Sequence, residues 1–310
     1  MQKIKGLVSA LFTPLNENGD VRYEEFAPMI DSAIESGIMG FYVLGSTGEG
    51  LSLSIEERKL VTEEVVRATA GRVPVIVQVG HNSVRESCSL AKHAQLCGAD
   101  AISANAPSYF KVNTVDTLID CLAEINEGID LPFYYYHIPA LTGAALDMIE
   151  FLEKAPARIN NLFGLKFSEM DPGKYLQCKR FSDGAFDVLW GCDEHILSAL
   201  AVGMEGAVGS TYNFMPRLYQ SIISSFGNGQ YKTASELTLQ AYSIVEVLGR
   251  YAPIHPVMKF VMRQMGFNVG AHRLPQPKIT AEQESKVLAA LEKTSFFEWS
   301  VKPLRGIHAG

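Results

Sequence analysis

The sequence lacks the signatures of several functional classes. It has no CxxC and no HxxxH, and its cysteines (Cys88, Cys97, Cys121, Cys178 and Cys192) follow no paired spacing. A zinc site of the usual ligand pattern is therefore not expected, and no resident metal is. An odd set of scattered thiols reads as free cysteine in a reducing compartment, hence a cytoplasmic protein. No basic run stands out in a chain with 27 Lys+Arg, 34 Asp+Glu and a formal charge of −7. That argues against a nucleic-acid surface, and a mild acidic balance mainly favours solubility. The longest charge-free stretch, Leu131 to Leu146, contains Pro132, Pro139 and Gly143. It is too short to span a bilayer, so no membrane association is expected. The apolar run after Met1-Gln-Lys-Ile-Lys5 could pass for a signal peptide, but Pro14 ends it early. It reads better as a first β-strand.

What the chain does contain is an ordinary globular composition over 310 residues, 47% hydrophobic and 20% charged. The length suits two domains, or one α/β barrel with an added segment. Strand-like runs at Gly6–Leu15, Gly40–Gly45, Val73–Gly80, Ala101–Ala106, Leu131–Ile138, Leu162–Phe167, Phe186–Gly191 and Gly206–Ser210 alternate with helical patterns. Cys97-Gly98 illustrates a helix stop, with glycine supplying the left-handed cap. Eight strand–helix units in series predict a closed parallel (β/α)8 TIM barrel over residues 1–229. The competing doubly wound sheet lacks a GxGxxG after its first strand. Three further helical patterns, at Tyr231–Arg250, Pro256–Met265 and Ala281–Thr294, predict a C-terminal helical segment over 230–310 that packs on the barrel.

In such a barrel, chemistry collects at the carboxyl ends of the strands. Alternation in Leu162-Phe163-Gly164-Leu165-Lys166-Phe167-Ser168 puts Phe163, Leu165 and Phe167 on the helix side. Gly164, Lys166 and Ser168 then point inward. A lysine there either snorkels to solvent or is desolvated, and desolvation favours the neutral, nucleophilic amine. Tyr134, Tyr135 and Tyr136 follow one another, so one or two face inward, and a phenol can shuttle a proton beside an amine. Plain aromatic packing is the other reading. His137 has the opposite parity to Tyr136 and reads as structural. Gly45-Ser46-Thr47-Gly48-Glu49-Gly50 offers backbone and hydroxyl donors for a carboxylate, or is an ordinary tight turn. It lacks the ending of a Walker A loop. In Gly191-Cys192-Asp193-Glu194 the acids could bind polyol hydroxyls, or Asp193 could cap the next helix. Cys192 has no placed base beside it. Together these strand ends suit imine chemistry on a keto acid with a polyol tail.

These motifs, with Tyr136-His-Ile-Pro-Ala-Leu-Thr-Gly143, Gly164-Leu-Lys-Phe-Ser168 and Gly209-Ser210-Thr-Tyr-Asn213, resemble the pyruvate-dependent aldolase/lyase family that includes N-acetylneuraminate lyase and dihydrodipicolinate synthase. The resemblance spans nearly the whole chain and is strongest to the animal-type sialic-acid branch. It implies a class I aldolase without cofactor, acting on a small molecule, expected to cleave N-acetylneuraminate reversibly to N-acetylmannosamine and pyruvate. It also implies roles. Lys166 forms the Schiff base and Tyr136 transfers protons. Ser46 and Thr47 hold the carboxylate, and Ser168, Gly191, Asp193, Glu194 and Ser210 line the sugar pocket. A homotetramer is implied, with Tyr109 reaching a neighbouring subunit's site, although the residues around Tyr109 depart from the family pattern. The alternatives are the synthase, another 2-keto-3-deoxy acid aldolase, or a non-catalytic binding barrel. Leu141 stands where synthases carry an arginine for a second carboxylate, which favours a neutral polyol.

Overall fold

A computed structural model describes residues 1–301. Residues 302–310 of the expected C-terminal segment lie outside the described residues. Eight parallel strands close into a barrel in chain order. They are β1 (Gly6–Ala10), β2 (Gly40–Val43), β3 (Val75–Gln78), β4 (Ala101–Asn105), β5 (Phe133–His137), β6 (Leu162–Phe167), β7 (Asp187–Trp190) and β8 (Gly206–Gly209). Closure is made by β1 against β8, from Gly6↔Gly206 to Ser9↔Gly209. The outer helices are α1 (Phe26–Glu35), α2 (Ile55–Thr69), α3 (Val84–Leu96), α4 (Val115–Asn126), α5 (Met148–Lys154), α6 (Pro172–Arg180), α7 (Ile196–Ala201) and α8 (Pro216–Gly227).

Period-two alternation sorts the strand residues into two cores. Leu7, Phe41, Val43, Val77, Tyr135 and Leu165 join the large cluster between strands and helices. Val8, Ala10, Tyr42, Ile76, Ala101, Tyr134, Tyr136, Leu189 and Val208 form a second cluster inside the barrel. Its floor is closed by Asp187, whose Oδ2 accepts from the Tyr134 hydroxyl (2.7 Å) and the Ile4 amide (3.1 Å).

The alternation fails at one place. Phe133 pairs with Leu162 but Tyr134 pairs with Gly164, so Phe163 is an extra residue in β6. Instead of facing the helices, Phe163 packs on the interior cluster, its ring 5.6 Å from that of Tyr134. A bulge turns one side chain to the other face and restores the pleat beyond it. Lys166, opposite Tyr136, therefore keeps its inward parity.

Other boundaries shift for local reasons. The first strand ends at Ala10, and Leu15 instead bridges to Val21. A helical turn at Pro139–Thr142, absent from the sequence reading, follows β5 with proline in its first turn. After the barrel come α9 (Tyr231–Arg250), α10 (Ile254–Gln264) and α11 (Ala281–Leu291). Among the described residues, no helix is long and apolar enough to cross a membrane.

Candidate active site

The carboxyl ends of β2, β5 and β6 bring three aromatic and basic groups together. Lys166 is 5% exposed. Its Nζ lies 3.9 Å from the ring centroids of both Tyr42 and Tyr136. The two rings meet edge to face at 5.5 Å. Among the described residues no carboxylate lies within ion-pair distance of this amine, so aromatic faces are its close company. Tyr42 is held by a hydrogen bond from its hydroxyl to Ser103 Oγ, 2.9 Å. The arrangement holds a buried amine beside a phenol, and a keto acid entering from the barrel mouth would meet both.

Around this centre the hydroxyls interlock. Thr47 Oγ1 lies 2.6 Å from Ser210 Oγ, joining the loop after β2 to the end of β8. Ser46 and Tyr136 line a cavity of about 220 Å³ with Asn105, Leu141 and His255. Ser168 Oγ donates to the Gly191 carbonyl at 3.3 Å. A Cβ on Gly191 would overlap Ser168 Oγ and come within 3.0 Å of the Phe167 carbonyl, so the close approach of β6 and β7 requires glycine.

Asp193 does not cap a helix. Its Oδ2 accepts from Thr211 N (2.8 Å) and Thr211 Oγ1 (2.6 Å). Burial, and then the neighbouring Glu194 charge, push its carboxyl up to about 6. Glu194 is half-buried beside it. Burial likewise raises Cys192 to about 12, so this thiol stays protonated at neutral pH and is no nucleophile. His137 faces away from the barrel interior, with Nε2 3.0 Å from Glu169 Oε2. Tyr109 is 76% exposed, its ring against Phe110, and is not brought to Lys166 within this chain.

Two groups of residues escaped the sequence reading. Tyr42 had a usable signal, its inward parity two residues beyond Gly40. The second group had none. Glu49, in the left-handed region at φ 55°, accepts from Lys259 Nζ at 2.6 Å and from the Arg273 amide at 2.9 Å. Glu49 and Lys259 are both buried, and Lys259 also donates to the Ala271 carbonyl, 3.2 Å. Burial outweighs Glu49's attraction and lowers Lys259 to about 8. This pair ties α10 to the loop that carries Ser46 and Thr47. His255 and His272 stand nearby, and burial lowers them to about 4 and about 2.

The chain matches the dihydrodipicolinate synthetase family over residues 3–294. It is 36% identical over 303 residues to a rat N-acetylneuraminate lyase, covering 96% of this chain and 95% of that one. The structure of a Proteus mirabilis N-acetylneuraminate lyase superposes with a TM-score of 0.92 at 35% identity, covering 95% of this chain and 100% of that one. An Aliivibrio salmonicida N-acetylneuraminate lyase gives 0.91 at 36% identity, covering 96% and 98%. Sequence, barrel topology and the near-complete coverage agree, and this chain belongs to the dihydrodipicolinate synthetase family of lyases.

Proposed function

We propose that the chain is a class I aldolase that reversibly cleaves N-acetylneuraminate to N-acetylmannosamine and pyruvate. The observation that carries this reading is Lys166, a buried amine between two tyrosine faces with, among the described residues, no carboxylate paired to it. The neutral amine attacks the C2 ketone of the open-chain sugar, and loss of water leaves an iminium. Deprotonation of the C4 hydroxyl breaks the C3–C4 bond, and its electron pair moves to the iminium as an enamine. N-acetylmannosamine leaves as the aldehyde. Protonation at C3 and hydrolysis release pyruvate and regenerate Lys166. Tyr136 relays the proton. The iminium is itself the electron sink, so the chemistry calls for no metal or organic cofactor.

Ser46 and Thr47 hold the carboxylate in this reading. Ser168, Gly191, Asp193, Glu194 and Ser210 line the sugar end. Leu141 beside the cavity supports a partner aldehyde without a second carboxylate. The names of the similar lyases support the same substrate. We also take residues 1–229 as the catalytic barrel and 230–310 as the C-terminal segment, of which the described part, 230–301, is the helical portion packed on it. A cytoplasmic homotetramer, with Tyr109 extending toward a neighbour's site, completes the proposal.

Borohydride added with pyruvate should fix one adduct per chain, mapping to Lys166. Lys166→Arg should abolish it, because guanidinium stays protonated. Tyr136→Phe should slow turnover while retaining some trapping. The enzyme should condense pyruvate with N-acetylmannosamine and use aspartate semialdehyde poorly. An adduct on another lysine, or normal turnover by Lys166→Arg, would overturn the mechanism. Condensation with the semialdehyde and none with the sugar would overturn the substrate.

A further inference from the structure

On the outside of the barrel, Glu63 of α2 meets His93 of α3 and Cys97, the residue that caps the C-terminus of α3. Cys97 follows His93 by one helical turn, so both side chains lie on one helix face, and Glu63 approaches from the adjacent helix. Glu63 Oε1 is 2.9 Å from His93 Nε2. Cys97 Sγ is 3.5 Å from Nδ1 and 3.6 Å from Nε2 of the same ring. The three ligand atoms lie within 4.8 Å of one another, the only such group among the described residues. From these contacts we infer that Glu63, His93 and Cys97 form a binding site for a thiophilic divalent cation of the zinc class.

The dimensions suit such an ion. Zinc bonds of about 2.3 Å to sulfur and about 2.0–2.1 Å to nitrogen, set at a tetrahedral angle, place the two ligand atoms about 3.6 Å apart. That is the observed Sγ–Nε2 separation. The carboxylate must retreat a few tenths of an ångström from the imidazole. The Glu63 side chain, 52% exposed, is free to do so. The sulfur is nearly equidistant from both ring nitrogens and so lies over the imidazole face; binding an ion requires the ring to turn about its Cβ–Cγ bond until a nitrogen lone pair points at the metal. The half-exposed position leaves a fourth place open to water. Thiolate, imidazole and carboxylate together favour zinc over magnesium or calcium, which prefer all-oxygen ligands. A Glu63–His93 hydrogen bond accounts for two of the three groups but gives no role to the thiol. Binding replaces the Cys97 S–H bond by a metal–sulfur bond and releases the proton to solvent, so affinity should rise with pH. The bound ion would clamp α2 to α3.

The test uses the untagged, EDTA-treated full chain in a phosphine reductant, titrated with Co²⁺. One ion per chain should bind, with a thiolate charge-transfer band in the near-ultraviolet that Zn²⁺ displaces. Cys97→Ser should abolish the band, His93→Ala and Glu63→Ala should weaken binding, and Cys88→Ser should leave it intact. Zn²⁺ should raise the melting temperature of the parent and not of Cys97→Ser, which should fold and retain lyase activity. No band, a band that survives Cys97→Ser, or equal stabilisation of both proteins would overturn the site. Because the readouts are spectroscopic and thermal, failure of the proposed lyase reaction would leave this test unaffected.

Discussion

Lys259→Met tests whether the C-terminal helices hold the loop after β2 in place. The Lys259 and Glu49 side chains are 0% and 3% exposed, and their contact is 2.6 Å. Removing one partner of a buried pair costs about 3–5 kcal/mol, because a buried charge is left uncompensated. Methionine keeps most of the stem volume, so little of that loss comes from a cavity. Glu49 retains the Arg273 amide at 2.9 Å, which places the effect at the low end, about 3 kcal/mol. At about 2–4 °C per kcal/mol for domains slightly smaller than this one, the melting temperature should fall by roughly 5–10 °C. Adding Glu49→Gln to Lys259→Met removes the stranded charge and should recover part of the loss, with a coupling of about 1–3 kcal/mol. The loop consequence is separate. Borohydride trapping should need more pyruvate for half-saturation, with a smaller change in the limiting rate. Denaturant melts and trapping kinetics on the two single variants and the double variant decide the matter. A loss under about 1 kcal/mol, strictly additive costs, or unchanged pyruvate dependence would refute the reasoning.

The raised carboxyl of Asp193 gives a pH signature. Native Asp193 is protonated below about pH 6, so its stabilising contribution is present at low pH and is lost as pH rises through 6. If the ionised form accepts from sugar hydroxyls, kcat/KM for N-acetylneuraminate should fall below pH 6. Pyruvate trapping should show no such limb. Asp193→Asn should flatten the limb, and an identical profile in that variant would remove Asp193 from the role. Gly191→Ala should destabilise the protein by about 1–3 kcal/mol, since the new methyl overlaps Ser168 Oγ. Sugar cleavage should suffer more than pyruvate trapping, and a neutral melt would count against the close packing. Tyr42→Phe keeps the ring over Lys166 and loses one buried hydrogen bond, so about 0.5–1.5 kcal/mol of stability should go with trapping retained. Tyr42→Leu removes the ring as well and should slow trapping. Equal trapping by both variants would show that the aromatic face is immaterial.

Local periodicity determined much of this protein. Eight alternating strand and helix patterns could close in one simple way, and the period of two put Lys166 inward; for the three consecutive tyrosines it required only that one or two face inward, and the closed barrel selects Tyr134 and Tyr136. Those are short-range properties, because each residue's face is fixed by its immediate neighbours along the strand. Tertiary structure decided the remainder. The bulge at Phe163 depends on how β5 and β6 register, which their separate sequences do not state. Thr211's hold on Asp193 depends on which carboxylate the closing barrel presents to the loop after β8. The Glu49–Lys259 pair joins residues 210 positions apart. A lysine on an amphipathic helix reads as a solvated charge, and only the packing of α10 against the loop after β2 takes it out of water and makes it part of the candidate site.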